Sequence, residues 1–246
     1  MEDLCAIVLA AGKGKRIGAE VAGLPKVMFP VKGKPMVGYV VDNLTAAKIK
    51  NIIAVVGYMK EKVIDYLDGR VAYVYQEELL GTGHAVLMAK NQVYKKYEKV
   101  LITYGDMPLI KSETFRGLID KFEQDKPTIA MLTAITEDPD QYGFSRIVRD
   151  DQERVVESVE QKDCNEEQLK IKEINPCIYL CNTKWLFSNL PKIKNNNSQG
   201  EYYLPDIVKL AFREGKKISS YRIDDWRQIL GINNPDNLTE VEKFLN

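Results

Sequence analysis

The sequence predicts an α/β fold: one domain with a mixed, mainly parallel central sheet flanked by helices. Three observations carry this. Residues 5–9, 52–56, 71–75 and 100–103 are short apolar runs rich in β-branched side chains, as strands covered on both faces should be. Between them lie segments with helical spacing, 37–44, 60–67 and 82–94. Alternation of strand and helix then requires crossover connections and a parallel sheet with helices on both faces. A chain of 246 residues that is 45% hydrophobic can bury a substantial core in a single unit.

Taken in order, the first strand runs directly into Gly12 and Gly14, which end it. The next three strands are each preceded by one of the helical segments, giving a first half over residues 1–126. Beyond residue 126 the pattern turns strand-rich, with runs at 128–135, 145–148, 154–159 and 171–181, read as a mixed extension of the sheet over residues 127–246. The polar stretch 192–200 reads as a surface loop. No repeat or Pro/Ser-rich linker divides the chain.

Lys+Arg and Asp+Glu are both 35, so bulk charge favours neither a nucleic-acid nor a membrane partner. Cys5, Cys164, Cys177 and Cys181 form no C-x-x-C pair, which fits a reduced compartment and argues against structural zinc. Met1-Glu2-Asp3 does not begin a signal pattern, and no apolar run is long enough to span a bilayer; a cytoplasmic location is expected.

The stretch Val8-Leu9-Ala10-Ala11-Gly12-Lys13-Gly14-Lys15-Arg16 is the most informative in the chain. Glycines let backbone N–H groups approach anionic oxygens, and the cations neutralise them, so the loop suits a phosphorylated ligand. The glycine spacing is G-x-G-x-x-x-G, which matches neither the dinucleotide fingerprint nor a P-loop. The plainer reading is a basic surface turn. Lys26 follows the rigid Leu24-Pro25 pair and could reach the same ligand, or simply be solvated.

Further along, Gln76 precedes Gly81-Thr82-Gly83-His84, with Thr82 as natural N-cap of the next helix. One planar amide at Gln76 offers a donor and acceptors to the edge of uracil or thymine. His84, the only histidine, is read as structural rather than as a base. Tyr104-Gly105-Asp106 ends a strand on a carboxylate: Gly105 permits a close approach to a ribose, and Asp106 can hold Mg²⁺ together with phosphate oxygens. Asp106 could instead cap a helix after Pro108. Asn233 in Gly231-Ile232-Asn233-Asn234 can add a neutral oxygen ligand if the fold brings it beside Asp106.

The N-terminal loop followed by Leu24-Pro25-Lys26 resembles the signature of sugar-nucleotide pyrophosphorylases, L-A-A-G-x-G-x-R then L-P-K, with a longer spacer here. Adding Gln76…Gly81-Thr82-Gly83, Tyr104-Gly105-Asp106, Glu173-Ile174-Asn175, Gly200-Glu201-Tyr202-Tyr203 and Gly231-Ile232-Asn233, the whole chain resembles the uridylyltransferase domain of the bacterial N-acetylglucosamine-1-phosphate uridylyltransferase family. That resemblance implies a Rossmann-like nucleotidyltransferase acting on UTP and a sugar-1-phosphate, with Mg²⁺ as cofactor. It implies Arg16 and Lys26 on the phosphates as catalytic residues, and Asp106 with Asn233 on the metal. Leu9, Ala10, Ala11, Gly12, Gln76, Gly81, Thr82 and Gly105 would bind the nucleotide, and Tyr104, Gly143, Glu160, Asn175 and Tyr203 the sugar. Members of the family continue into a β-helix that acetylates glucosamine-1-phosphate; these 246 residues contain no hexapeptide repeats, so no acetyltransferase activity is expected of them. Oligomeric state is not legible.

The departures fall on the sugar side. The family's Y-G-R-I is two residues longer at Tyr142-Gly143-Phe144-Ser145-Arg146-Ile147, its N-T-G reads Asn175-Pro176-Cys177, and a threonine is replaced by Pro205. Another acceptor sugar, dTTP in place of UTP, or a sugar-nucleotide-binding regulator with weak activity therefore stay open. A sugar-1-phosphate is already an anionic nucleophile, so the expected chemistry is charge neutralisation and in-line positioning without a general base.

Overall fold

The computed structural model describes residues 2–14 and 23–245. Ten strands form the main sheet: β1 (Leu4–Ala10), β4 (Asn51–Val56), β5 (Ala72–Tyr75), β6 (Lys99–Tyr104), β7 (Ile129–Ile135), β8 (Ser145–Arg149), β9 (Val155–Val159), β10 (Glu173–Asn175), β11 (Tyr179–Asn182) and β12 (Ile218–Ile223). β2 (Pro30–Val31) and β3 (Lys34–Pro35) make a separate two-stranded ribbon. The helices are α1 (Met36–Ala46), α2 (Lys60–Leu67), α3 (Thr82–Met88), α4 (Lys90–Val93), α5 (Ser112–Asp125), α6 (Glu166–Leu169), α7 (Thr183–Asn189), α8 (Asp206–Arg213) and α9 (Pro235–Phe244).

Strand order is β5-β4-β1-β6-β11-β7-β10-β8-β9, with β12 on the other edge of β7. β5, β4, β1 and β6 are parallel neighbours, and β12 is parallel to β7. Following the antiparallel pairings outward, β7 and β8 also point the way of β1, so only β9, β10 and β11 run against it. The sheet is mixed and mostly parallel.

Successive residues of β1 enter opposite layers. Leu4, Ala6, Val8 and Ala10 pack with Val37, Val40, Val41 and Leu44 of α1, Val63 and Leu67 of α2 and Phe115, Leu118 and Phe122 of α5. Cys5, Ile7 and Leu9 pack with Ala85 and Val86 of α3, Leu186 and Phe187 of α7 and Ile207, Val208 and Ala211 of α8. Burial on both faces is why β1 reads as an uninterrupted apolar run rather than an alternating one. A third cluster joins Val241 of α9 to Val31, Met36, Leu230 and Ile232.

The structure departs from the sequence expectation in three respects. The helical segment 82–94 is two helices, α3 and α4, which meet at Ala89. Residues 171–181 form two strands, because Pro176 has no N–H and Cys177 turns to φ +59°; together they interrupt the edge along β7. The helix allowed after Pro108 is the 14-residue α5, whose buried Phe115, Leu118, Ile119 and Phe122 keep helical spacing, whereas β12 and α6–α9 have no counterpart in the pattern read from sequence. All four cysteines are free, and no helix among the described residues is long and apolar enough to cross a membrane.

β4 and β6 lie on opposite sides of β1, so the order of the chain reverses there. The loops after β1 and β6 therefore part at their carboxyl ends and leave a crevice between them. Gly12 is in one loop and Asp106 in the other.

Candidate active site

A cleft of about 350 Å³ opens in this crevice, lined among others by Leu9, Ala11, Gly12, Lys13, Lys26, Gln76, Gly81, Thr82, Tyr104 and Asp106. The loop after β1 is held to the next segment by the Lys26 N–H, which donates to the Gly12 carbonyl (3.2 Å). Among the described residues nothing lies within 4 Å of where a Gly12 Cβ would be. Ala10 is different: its side chain is buried in the α1/α2 layer. Arg16 lies outside the described residues.

Lys26, Asp106 and Asn233 come together across 80 and 207 residues of sequence. The Lys26 ammonium donates to Asp106 Oδ2 and to Asn233 Oδ1 (2.6 Å). Asp106 Oδ1 is buried and has no partner among the described residues. Asp106 caps no helix, since α5 begins after Lys111. Its place is fixed from behind, where the Ile232 N–H donates to the Asp106 carbonyl (3.3 Å). Two oxygens converging on one cation, with a third left unsatisfied, fit a divalent ion that prefers hard oxygen ligands. No group of three or more His, Cys, Asp or Glu exists among the described residues, so the remaining ligands of such an ion must be water and substrate phosphate.

Gln76 is 3% exposed, and its amide nitrogen donates to the Gly81 carbonyl (3.1 Å) and lies 3.0 Å from His84 Nδ1. The sequence reading offered both a donor and an acceptor to a base. Only the acceptor is free: Oε1 has no partner among the described residues.

The glycines around it serve the protein before any ligand. A Cβ on Gly81 (φ +111°) would stand 2.7 Å from the Tyr202 carbonyl, and one on Gly83 would stand 3.0 Å from the same atom. Both make room for the 200–204 segment, which pairs through Gly83 N–H to Tyr202 O and Tyr202 N–H to Leu80 O, each 2.8 Å. Thr82 is the first residue of α3 and not its N-cap; its hydroxyl accepts from the Leu204 N–H (2.9 Å), a tie to the same segment. At Gly105 a Cβ would meet Val27 Cγ1 at 3.1 Å and the Leu9 carbonyl at 3.3 Å, so this glycine is required by packing across β1.

The residues expected around a sugar are grouped beyond Tyr104, but most are already engaged. Asn175, 1% exposed, accepts from the Cys177 N–H (2.8 Å) and donates to Ser158 Oγ (2.8 Å) and the Tyr179 hydroxyl (2.5 Å). Those bonds hold Cys177 in its left-handed turn. The Cys177 thiol is buried against Ser145, Tyr104 and Tyr179, and burial followed by the nearby Glu160 charge pushes its pKa up. Glu160 has no ion-pair partner among the described residues; burial, with added repulsion from Asp163 and Asp206, pushes its carboxyl up to about 7, against a hydrogen bond from Ser145. Tyr203 is buried, its hydroxyl accepting from Gln199 Nε2 (2.7 Å). Gly143 has φ +72° and sits against the Gln161 side chain. Glu160 and Tyr203 also face a second cavity of about 510 Å³, with Asp206 and Lys194 on its wall.

Two features escaped the sequence reading. His84 touches Gln76, which helical spacing alone does not signal because Gln76 lies outside α3. Arg146 is fully buried, with its guanidinium on Asp140 and the Phe144 carbonyl and its Nε unsatisfied. Gln161 Nε2 donates to the same Asp140 carboxylate (2.9 Å), so one buried cation ties the Gly143 loop to the turn after Glu160.

A cleft at the switch point, with a glycine loop on one side and Lys26 held by an Asp/Asn pair on the other, lies where α/β proteins with parallel strands bind their ligands. The chain belongs to the MobA-like NTP transferase domain family, whose sequence model matches residues 6–200. It is 42% identical over 239 residues to the bifunctional protein GlmU of Lactobacillus delbrueckii subsp. bulgaricus, covering 97% of this chain and 51% of that one. With the GlmU proteins of Listeria monocytogenes and Clostridium kluyveri it shares 40% identity, covering 100% and 98% of this chain and 52% of each relative. The chain thus spans about half the length of these curated relatives. A solved structure from Bacillus anthracis, provisionally designated a glucose-1-phosphate thymidylyltransferase and holding sucrose, has the same fold: TM-score 0.80 at 20% identity, covering 98% of this chain and 94% of that one.

Proposed function

We propose that this chain is a sugar-1-phosphate uridylyltransferase: it joins UTP to a sugar-1-phosphate, with N-acetylglucosamine-1-phosphate the first acceptor to consider, and releases pyrophosphate. The observation that carries the reading is the meeting of Lys26, Asp106 and Asn233 on the cleft wall. The similarity to GlmU proteins over nearly the whole chain supports it, as does the acceptor presented by Gln76.

In this reading Gly12 and its neighbours cradle the phosphate chain through backbone N–H groups. Lys26 and Arg16 neutralise its oxygens, and Asp106 and Asn233 hold Mg²⁺. The bound cation would supply charge stabilisation on the reacting phosphate. Gln76 Oε1 accepts the N3–H of uracil or thymine; cytosine presents a lone pair at that position and leaves two acceptors facing each other. The acceptor sugar lies towards Tyr104, Gly143, Glu160, Asn175 and Tyr203, where Glu160, a half-buried carboxyl with a hydrogen bond from Ser145, can also bond sugar hydroxyls. A phosphate oxygen of the sugar-1-phosphate attacks the α-phosphorus, a new P–O bond forms, and pyrophosphate leaves with the electrons of the broken one. The nucleophile is already ionised, so no side chain need remove a proton.

Cys177 favours a second reading of the acceptor. A side chain in the left-handed turn beside Glu160 crowds the sugar region, which supports a hexose-1-phosphate lacking the N-acetyl group. Pyrophosphate release from UTP, dTTP and CTP with glucose-, galactose-, glucosamine- and N-acetylglucosamine-1-phosphate tests both. Turnover that needs a divalent ion and a sugar-1-phosphate is expected. Binding of a UDP-sugar without turnover of any pair would move the weight to a regulator.

A further inference from the structure

His84 has no part in the chemistry above, yet it lies within hydrogen-bond distance of the group proposed to read the base. Its partner is the Gln76 amide nitrogen, at 3.0 Å from Nδ1. The same nitrogen lies 3.1 Å from the Gly81 carbonyl, an atom that can only accept. That contact settles which end of the amide is which: the NH₂ faces Gly81 and the oxygen faces away. With the NH₂ so placed, Nδ1 of His84 stands as the acceptor, the role it has in the tautomer that carries its proton on Nε2. Both amide hydrogens are then engaged and Oε1 is left for the cleft.

An amide held at one point only can turn about its last torsion, exchanging oxygen for nitrogen at little steric cost. The two faces read opposite bases. Oxygen accepts from the N3–H of uracil or thymine, whereas NH₂ donates to the bare N3 of cytosine. We infer that His84 is a positioning residue that locks the Gln76 amide oxygen-out and so sets pyrimidine selectivity. This rests on the reading of Gln76 as the base contact.

The register of α3 makes the lock possible. Gly81 stands at the N-cap and His84 is the third residue of α3, so carbonyl and imidazole converge on one point from a single turn of chain. Gln76 reaches that point from beyond β5, with its own N–H anchored on the Val56 carbonyl (2.8 Å). A histidine one turn into this helix is therefore explained by an acceptor requirement that an aliphatic residue of similar size cannot meet.

The test is kcat/KM for UTP and CTP, with kcat and KM resolved separately, in the wild type, Gln76→Ala, His84→Leu, His84→Asn and His84→Lys. In His84→Leu the UTP:CTP ratio is expected to fall about tenfold or more, the scale of one ordinary hydrogen bond, through KM with kcat little changed. Asn places an acceptor oxygen where Nδ1 stood, and His84→Asn should restore the ratio. Lysine can only donate, and His84→Lys should lower the ratio at least as far as leucine; it decides the matter if the leucine variant proves unstable in thermal melting. A wild-type ratio in His84→Leu and His84→Lys, with the ratio lost in Gln76→Ala, overturns the role of His84 alone. A wild-type ratio in Gln76→Ala removes Gln76 from base reading and takes this inference with it.

Discussion

The two halves of the sheet treat their polar side chains in opposite ways. At the ends of the parallel strands, Asp106 Oδ1 and Gln76 Oε1 have no partner among the described residues, and none of those residues fills the space beside Gly12. Among the antiparallel strands, Asn175 spends its whole amide on Cys177, Ser158 and Tyr179, and Tyr203 is bonded to Gln199. The difference has a geometric origin. Parallel strands joined by helical crossovers end in diverging loops whose side chains face a crevice, whereas adjacent antiparallel strands continue pairing and bury what lies between them. The parallel half thus leaves acceptors open at the cleft, whereas in the other half Asn175 and Tyr203 hold a shape, although Arg146 Nε, Thr183 Oγ1 and Asn189 Oδ1 are buried there without a partner among the described residues.

The sharpest way to break this contrast is Asp106→Ala. If the open oxygens of the parallel half hold the catalytic cation, turnover should fall by about 10³-fold or more, since losing such a ligand forfeits several kcal/mol of transition-state stabilisation. The far-ultraviolet circular dichroism should be unchanged. Pyrophosphate release within tenfold of wild type, or insensitivity to a chelator, would remove Asp106 from the site.

Next in size is the Arg146–Asp140 ion pair of the other half, in which the guanidinium is fully buried and the carboxylate exposed. Asp140→Ala leaves the Arg146 guanidinium with only the Phe144 carbonyl among the described residues, and should cost about 1–3 kcal/mol. Arg146→Met removes the charge together with its desolvation cost and should be milder. Urea denaturation ranks the two, and the reverse order would mean that Arg146 contributes through packing alone.

Glu160 yields a pH test. Its carboxyl is raised from 4.5 to about 7 mainly by burial, so the native state holds its proton more tightly than the unfolded chain. Between pH 4.5 and 7 the native state binds more protons, and stability falls as pH rises through that window. Glu160→Gln removes the penalty. Relative to wild type it should gain about 1–3 kcal/mol at pH 8 and almost nothing at pH 4, measured by denaturant midpoint. An equal gain at both values would assign the effect to packing.

The smallest effect expected is at Cys177. Left-handed backbone costs a non-glycine residue about 1 kcal/mol, and the buried thiol returns a similar amount in packing. Cys177→Gly should therefore change stability by less than about 1 kcal/mol while opening the acceptor region. The wild type is expected to use at least one other sugar-1-phosphate within about tenfold of N-acetylglucosamine-1-phosphate, and the glycine variant to sharpen that preference. Identical acceptor profiles for the two proteins would place the sugar away from this turn.

Much of the parallel half was legible because strands buried on both faces are continuous apolar runs. The antiparallel half was harder to read. Its interruption at Pro176–Cys177 looks like one strand in a hydrophobicity pattern, since Ile174, Ile178 and Leu180 are all buried. The glycines are instructive in another way. Gly81 and Gly105 were expected at the nucleotide, and the spaces where their Cβ atoms would stand are already filled by Tyr202, Val27 and Leu9. A glycine reports that something comes close without saying whether it is ligand or protein.

The sequence by itself determined the α/β alternation, the glycine loop after β1, the carboxylate after β6 and the chemistry each residue could offer. Those depend on local periodicity and on side-chain type, which are written along the chain. Only the tertiary structure decided that Lys26, Asp106 and Asn233 share one point, that Gln76 turns its oxygen to the cleft, and that Asn175 is already spent. These depend on which distant segments meet, and the meeting is set by strand order and by the burial of two helix layers, neither of which any short stretch of sequence contains.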